Sequence, residues 1–271
     1  MTQPAPDPSQ KLSVIIPAYN KDSEVFQVVL NLVRQLKKLQ YDWEIIVVDD
    51  ASRDFTLREA IRSKKFNGNT KRIKVFSYNL NQGKGFALYY GFKQSVGDIV
   101  VFADSDLDLP SYNVKTLLDH FEKNRADVAI GSKRHPLSNV NYPVTRKIQS
   151  KCYQILVRVM FSLNVADTQV GLKAFRREVL SESFSRIVVK KFAFDVELLV
   201  VTRILGYRKI IEVPVTLNYN FTSTISLKCV KDILQDTLAI YWRKNFLRFY
   251  DHPRYRLDGD EVTITSKKAF I

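Results

Sequence analysis

Apolar positions in the first half of the chain alternate between short solid runs and helical stripes. Leu12–Ile16, Glu44–Val48, Arg72–Ser77, Ile99–Ala103 and Asp127–Ile130 read as strands. The runs lacking polar alternation suit strands covered on both faces. Between the first two, Val25, Val28, Val29, Leu32, Val33 and Leu36 keep a helical spacing, with Asp22 or Ser23 as the expected N-cap. Gly83–Ser95 and Ser111–Glu122 read as further helices. This succession predicts an α/β fold, a mostly parallel sheet flanked by helices, with its chemistry beyond the carboxyl ends of the strands.

After Gly131 the rhythm changes. Residues 145–163 read as a helix with Ile148, Cys152, Ile155, Leu156, Val159 and Leu163 on one side. Thr168–Phe175 and Lys209–Val215 are candidate strands, Phe192–Leu205 a helix, and residues 226–249 one or two amphipathic helices. The division expected is a proline-bearing flexible leader (1–10), a main domain (11–225), amphipathic helices (226–250) and a tail (251–271) with a strand-like run at Glu261–Thr265. The leader reads as neither signal peptide nor anchor, and no stretch approaches the roughly 18 apolar residues of a spanning helix.

Composition narrows the partners. The formal net charge is +14, which favours an anionic partner. From Val128 to Ala166 there is no Asp or Glu, yet Lys133, Arg134, Arg146, Lys147, Lys151 and Arg158 all occur. Cys152 and Cys229 lack zinc-type spacing and read as reduced, partly buried thiols of a cytosolic protein; His120, His135 and His252 form no metal motif.

The sharpest candidate chemistry is VVFADSDLDLP at 100–110. Asp104, Asp106 and Asp108 alternate at a strand end, where an extended chain would point them one way. Bare, they repel; a hard divalent cation such as Mg²⁺ or Mn²⁺ offsets that repulsion and can also meet phosphate oxygens. VVDDASRD at 47–54 ends a second strand in Asp49 and Asp50, one of which could accept hydrogen bonds from a base or ribose. Pro17, Ala18 and Tyr19 end the first strand beside them. NLNQGKGFALYYGF at 79–92 fits neither GxxxxGK[ST] nor GxGxxG; Lys84 there either faces an anion or serves the turn. Lys133–Arg134 and Arg146–Lys147 are candidate phosphate holders or a solvated basic face. Asp167, Gln169, Asp195 and Glu197 either meet sugar hydroxyls or brace a helix on the sheet.

In order and spacing, VIIPAYN (14–20), VVDDASRD, NQGKGFAL (81–88), DSDLDLP (104–110), GSKR (131–134), DTQVGLKAF (167–175) and FAFDVE (192–197) resemble the family 2 inverting glycosyltransferases of GT-A fold. Within that family the likeness is to dolichyl-phosphate and polyprenyl-phosphate hexosyltransferases. The resemblance implies that Pro17, Tyr19 and Glu24 border a nucleotide and that Asp50 contacts its base. It implies that Asp104 and Asp106 bind metal and the sugar-nucleotide diphosphate, with Asp108 as a third oxygen donor where relatives often have Gln. Lys133, Arg134 and Arg146 would meet the acceptor phosphate, and Asp167 and Gln169 the donor sugar. Implied partners are a nucleotide sugar (UDP-glucose before GDP-mannose), a polyprenyl or dolichyl phosphate, and the anionic surface of a membrane at its cytoplasmic face. The phosphate would attack the anomeric carbon with inversion and need no general base; a hydroxyl acceptor would need one, such as Asp167 or Asp195.

Two other functions fit parts of the sequence. A soluble family 2 enzyme could glycosylate a glycan hydroxyl. A nucleic-acid-binding protein fits the charge and scattered aromatics, but a zinc finger, an RRM-type aromatic motif and a dense basic stripe are missing, so no nucleic acid is expected as partner. The missing dinucleotide fingerprint argues against a nicotinamide enzyme.

Overall fold

The computed structural model describes residues 10–139, 144–189, 193–217 and 227–252, with side chains from residue 151 in the fifth helix and 231 in the last. The elements run β1 (Lys11–Ala18), α1 (Val25–Leu36), β2 (Asp42–Asp49), α2 (Thr56–Phe66), β3 (Ile73–Ser77), α3 (Lys84–Gln94), β4 (Ile99–Phe102), α4 (Tyr112–Lys123) and β5 (Val128–Ser132). Then come α5 (Val144–Phe161), β6 (Lys173–Arg176), α6 (Arg177–Phe184), α7 (Phe194–Ile204), β7 (Ile210–Pro214) and α8 (Leu227–Asn245).

One seven-stranded sheet has the order β3-β2-β1-β4-β6-β5-β7. All neighbours are parallel except β6, which runs antiparallel to both β4 and β5. The central strands are covered on both sides, as solid apolar runs require: Val14, Ile15 and Ile16, and Ile45 to Val48, are fully buried. On one face β1 and β2 pack with α1 and α4. The other face meets α3 and, further along, α5, α6 and α7. Because β1, β2 and β4 run parallel, their carboxyl-terminal extensions, acidic after β2 and β4, emerge at the same edge.

Several expectations change. The α1 N-cap is Glu24 rather than Asp22 or Ser23, and it makes no side-chain cap bond. α2 was not legible because only Thr56, Ala60 and Ser63 of it are buried, a small polar stripe. α6 was likewise missed. The strand expected at Thr168–Phe175 is only Lys173–Arg176. Cys152 is exposed rather than partly buried. The strand-like run at Glu261–Thr265 lies outside the described residues. Among the described residues, no helix is long and apolar enough to cross a membrane.

Candidate active site

The loops leaving β1 and β2 are knitted together. The Asn20 N–H donates to Ser52 Oγ (3.0 Å), and Asn20 Oδ1 accepts from the Arg53 N–H (3.0 Å). Asn20 and Ala51 both adopt left-handed backbones (φ 51° and 55°), which non-glycine residues take at a cost. Tyr19 stands 42% exposed on this platform, a flat ring at the mouth of the site. Pro17 lies inside β1, opposite Val48, so the strand runs two residues past its expected end.

The adjacent acids divide their work. Asp50 Oδ1 accepts from Tyr78 Oη (2.7 Å) and the Gln82 N–H (2.8 Å). Its Oδ2 accepts from Asn81 Nδ2 and the Gly83 N–H (both 2.9 Å). Asp50 is therefore the anchor of the loop into α3, and its four accepted bonds leave no capacity for the base contact expected of it. Asp49 differs: Oδ2 accepts from Ser77 Oγ (2.9 Å), while Oδ1 is buried without a partner. A buried orphan acceptor is costly unless a ligand completes it.

The three aspartates after β4 do not continue the strand. β4 ends at Phe102, and residues 105–109 form successive bends, so strand alternation is not what gathers them. Asp104 is paired with Lys84, Oδ1 to Nζ 2.7 Å. Burial alone would raise the Asp104 carboxyl; Lys84, Lys173 and Lys133 outweigh it and hold it below the usual range. Lys84 is raised despite burial, chiefly by Asp104 and Asp195. Asp106 is pushed up to about 6 by burial, then by repulsion from Asp104 and Asp108. Glu24 accepts the Leu107 N–H (3.2 Å) and pairs with Lys21 (3.1 Å), tying α1 to this loop.

Among the described residues, no three His, Cys, Asp or Glu side chains already converge as a metal cage. The expected triad is thus not pre-assembled, and Asp104 is engaged by Lys84. The donor set still fits a hard divalent cation. It consists of carboxylate oxygens: burial first, and then repulsion from Asp104 and Asp108, raises Asp106, and a cation would relieve that repulsion.

The segment 167–172 closes the other side. Asp167 Oδ2 accepts the Lys133 N–H and Oδ1 the Gln169 N–H, both 3.2 Å. Glu212 of β7 accepts the N–H groups of Ala166 (2.9 Å) and Asp167 (3.1 Å). Asp167 therefore shapes the backbone. Gln169 Nε2 is buried without a partner, a donor aimed at nothing in the protein. Gly171 lies flat against Asp104: a Cβ there would sit 1.9 Å from its Oδ2 and 2.0 Å from its Cγ. Below, Lys173 is wholly buried and paired with Asp195 (2.5 Å). Glu197 lies deeper in the core, accepting from Val188 and Val189 N–H groups, Arg243 and Tyr250. It braces α7 and α8, the second of the two roles open to it.

Lys133 and Arg134 follow β5 and are half-buried, and Lys133 is near enough to act on Asp104. Arg146 and Lys147 fall in α5, but their side chains lie outside the described residues. Sequence reasoning missed Asp49 as the open acid, Gly171 and Lys173. The last left a signal: a lone lysine inside the apolar run GLKAF.

Motifs at the ends of β1, β2, β4 and β5, at the start of α3 and before β6 gather at one end of the sheet, and residues 13–184 match Glycosyl transferase family 2. The chain belongs to that family. It is 30% identical over 219 residues to dolichyl-phosphate beta-glucosyltransferase of Saccharomyces cerevisiae, covering 74% of this chain and 64% of the relative. The Homo sapiens protein of that name is 31% identical over 208 residues, covering 72% and 64%. An undecaprenyl-phosphate 4-deoxy-4-formamido-L-arabinose transferase of Pectobacterium atrosepticum is 30% identical over 175 residues, covering 65% and 51%. The chain thus spans slightly under two thirds of the length of these eukaryotic relatives. In fold it is similar to glucosyl-3-phosphoglycerate synthase from Mycobacterium tuberculosis in complex with Mn²⁺, uridine-diphosphate and phosphoglyceric acid. The TM-score is 0.68 at 22% identity, covering 87% of this chain and 78% of that one, a likeness of GT-A architecture.

Proposed function

We propose that the protein transfers a hexose, glucose before mannose, from a nucleotide sugar to a polyprenyl or dolichyl phosphate with inversion at the anomeric carbon. One observation carries the choice of acceptor. The two carboxylates named as example bases for a hydroxyl acceptor are engaged, Asp167 by backbone N–H groups and Asp195 by Lys173. A phosphate monoester, with its second pKa about 6, is largely ionised at neutral pH and attacks without a base.

In this reading Tyr19 stacks on the base, and the open Oδ1 of Asp49 takes over the base contact first assigned to Asp50. Asp106, with Asp104 and Asp108, would hold Mg²⁺ or Mn²⁺, and Lys84 faces the diphosphate. A cation held there would supply Lewis-acid stabilisation of charge on the diphosphate. Gln169 Nε2 donates to a hydroxyl of the donor sugar. Lys133, Arg134 and Arg146 gather the acceptor phosphate and reduce repulsion between the two anions.

The acceptor brings the protein to a membrane, working peripherally at its cytoplasmic face. Leu234, Leu238 and Trp242 on α8, and Phe246 just past its end, recur every four residues and are exposed, with Trp242 and Phe246 stacked (4.3 Å). Lys244 and Arg248 accompany them, a mixture that suits an anionic interface.

The test is a transfer assay with radiolabelled UDP-glucose and GDP-mannose, Mn²⁺, and either dolichyl phosphate or a glycan as acceptor. Label is expected in the lipid-extractable fraction with UDP-glucose. Label on the glycan alone would replace this reading with hydroxyl glycosylation.

A further inference from the structure

Lys173 opens β6, pairs in register with Phe102 of β4 and Ile130 of β5, and has no solvent exposure. A buried ammonium costs several kcal/mol unless it is paired and hydrogen-bonded. Lys173 Nζ meets that demand with Asp195 Oδ1 and the Val170 carbonyl, both at 2.5 Å. The second contact falls on the Val170–Gly171 peptide, and Gly171 is the residue against which the Asp104 carboxylate lies.

The other partner completes a ring. Asp195 is in the first turn of α7, next to Phe194. The Phe194 ring presses on Gly85, where a Cβ would come within 2.6 Å of it. Gly85 adjoins Lys84, and Lys84 holds Asp104 from the other side (2.7 Å). Asp104 is thus clamped between two lysines whose supports touch each other: directly by Lys84, and through Gly171 by Lys173. Stability alone is a poor reason for this arrangement, because apolar residues of equal volume often replace a buried pair at no loss.

We propose that Lys173 is a positioning residue, which sets the Val170–Gly171 peptide as the seat of Asp104 and so fixes the carboxylate for its metal and nucleotide contacts. The inference rests on the role given to Asp104 above.

The test uses K173M/D195N, which removes both buried charges at nearly constant volume, beside D104N and the parent. Mn²⁺ binding in the presence of UDP is measured by electron paramagnetic resonance, together with thermal melting and steady-state kinetics. The double variant is expected to fold and to bind Mn²⁺ roughly tenfold or more weakly, in the range typical of residues that orient metal ligands. Its half-saturating Mn²⁺ should rise while the acceptor KM stays put, a split that general loosening would not produce. Parent-like Mn²⁺ affinity in K173M/D195N, with loss in D104N, overturns the role of Lys173 and leaves the site reading intact. Parent-like affinity in D104N overturns the reading of Asp104 itself. Should the double variant not fold, D195E keeps both charges and shifts the strut by one methylene. It should weaken Mn²⁺ binding, and unchanged binding would equally overturn the proposal.

Discussion

Gly171→Ala isolates the seat of Asp104. The backbone of Gly171 is not left-handed, so alanine is tolerated there conformationally. The conflict is local: the new methyl would sit 1.9 Å from Asp104 Oδ2, 2.0 Å from Cγ and 2.1 Å from Oδ1. Ordinary contact begins near 3.5 Å, so the carboxylate must retreat by roughly 1.5 Å. That movement stretches or breaks the 2.7 Å bond to Lys84. Because the carboxylate is the end of a partly exposed side chain, the stability loss should stay near the low end of overpacking, about 1 kcal/mol. Misplacing an aligned group by about 1 Å can cost on the order of a hundredfold in rate, or about 2.7 kcal/mol in the barrier. The expected outcome is a small drop in melting temperature and a loss of kcat/KM on the order of a hundredfold, read in the lipid-phosphate transfer assay. A folded G171A enzyme with parental kcat/KM would refute the argument that this glycine exists to seat Asp104.

Asp106→Asn should abolish metal-dependent transfer while circular dichroism and melting stay close to the parent; appreciable Mn²⁺-supported turnover would count against the site. Trp242→Ala with Phe246→Ala should reduce flotation with anionic liposomes several-fold and leave nucleotide binding unchanged; equal flotation would remove α8 as the docking element. Glu44 makes acid stability testable. Burial raises its carboxyl, but Lys74, Ser13 and the Val96 N–H together outweigh burial and hold it below the ordinary 4.5. A depressed folded value gives stability that is complete above the unfolded value and is lost as pH falls through the folded one. Glu44→Gln should therefore lower the melting temperature at neutral pH, and the gap to the parent should narrow below about pH 4.5. A gap that stayed constant down to about pH 3 would contradict the assignment.

Much of the scaffold was legible because burial on both faces leaves a simple trace. The solid runs EIIVV and IVVFA, both running straight into aspartates, indicated both a strand and its acidic end. The weakly apolar α2 and the short α6 left too little periodicity to be seen, and their places are set by packing on neighbours. β6 was over-extended because Val170 and Leu172 are buried in loop conformation, which apolarity cannot distinguish from a strand.

The candidate site divides along a similar line. The sequence alone determined which residue types gather at one edge of the sheet, because parallel strands deliver their carboxyl ends together and the acids sit at those ends. Only the tertiary structure decided which of them are open. Asp50 is saturated by a loop about thirty residues away, Asp49 is left an orphan oxygen, and Asp104 is held by Lys84 on one side and rests on Gly171 on the other. Whether a carboxylate is engaged or available depends on donors brought close by folding from distant parts of the chain, and local spacing carries no record of those partners.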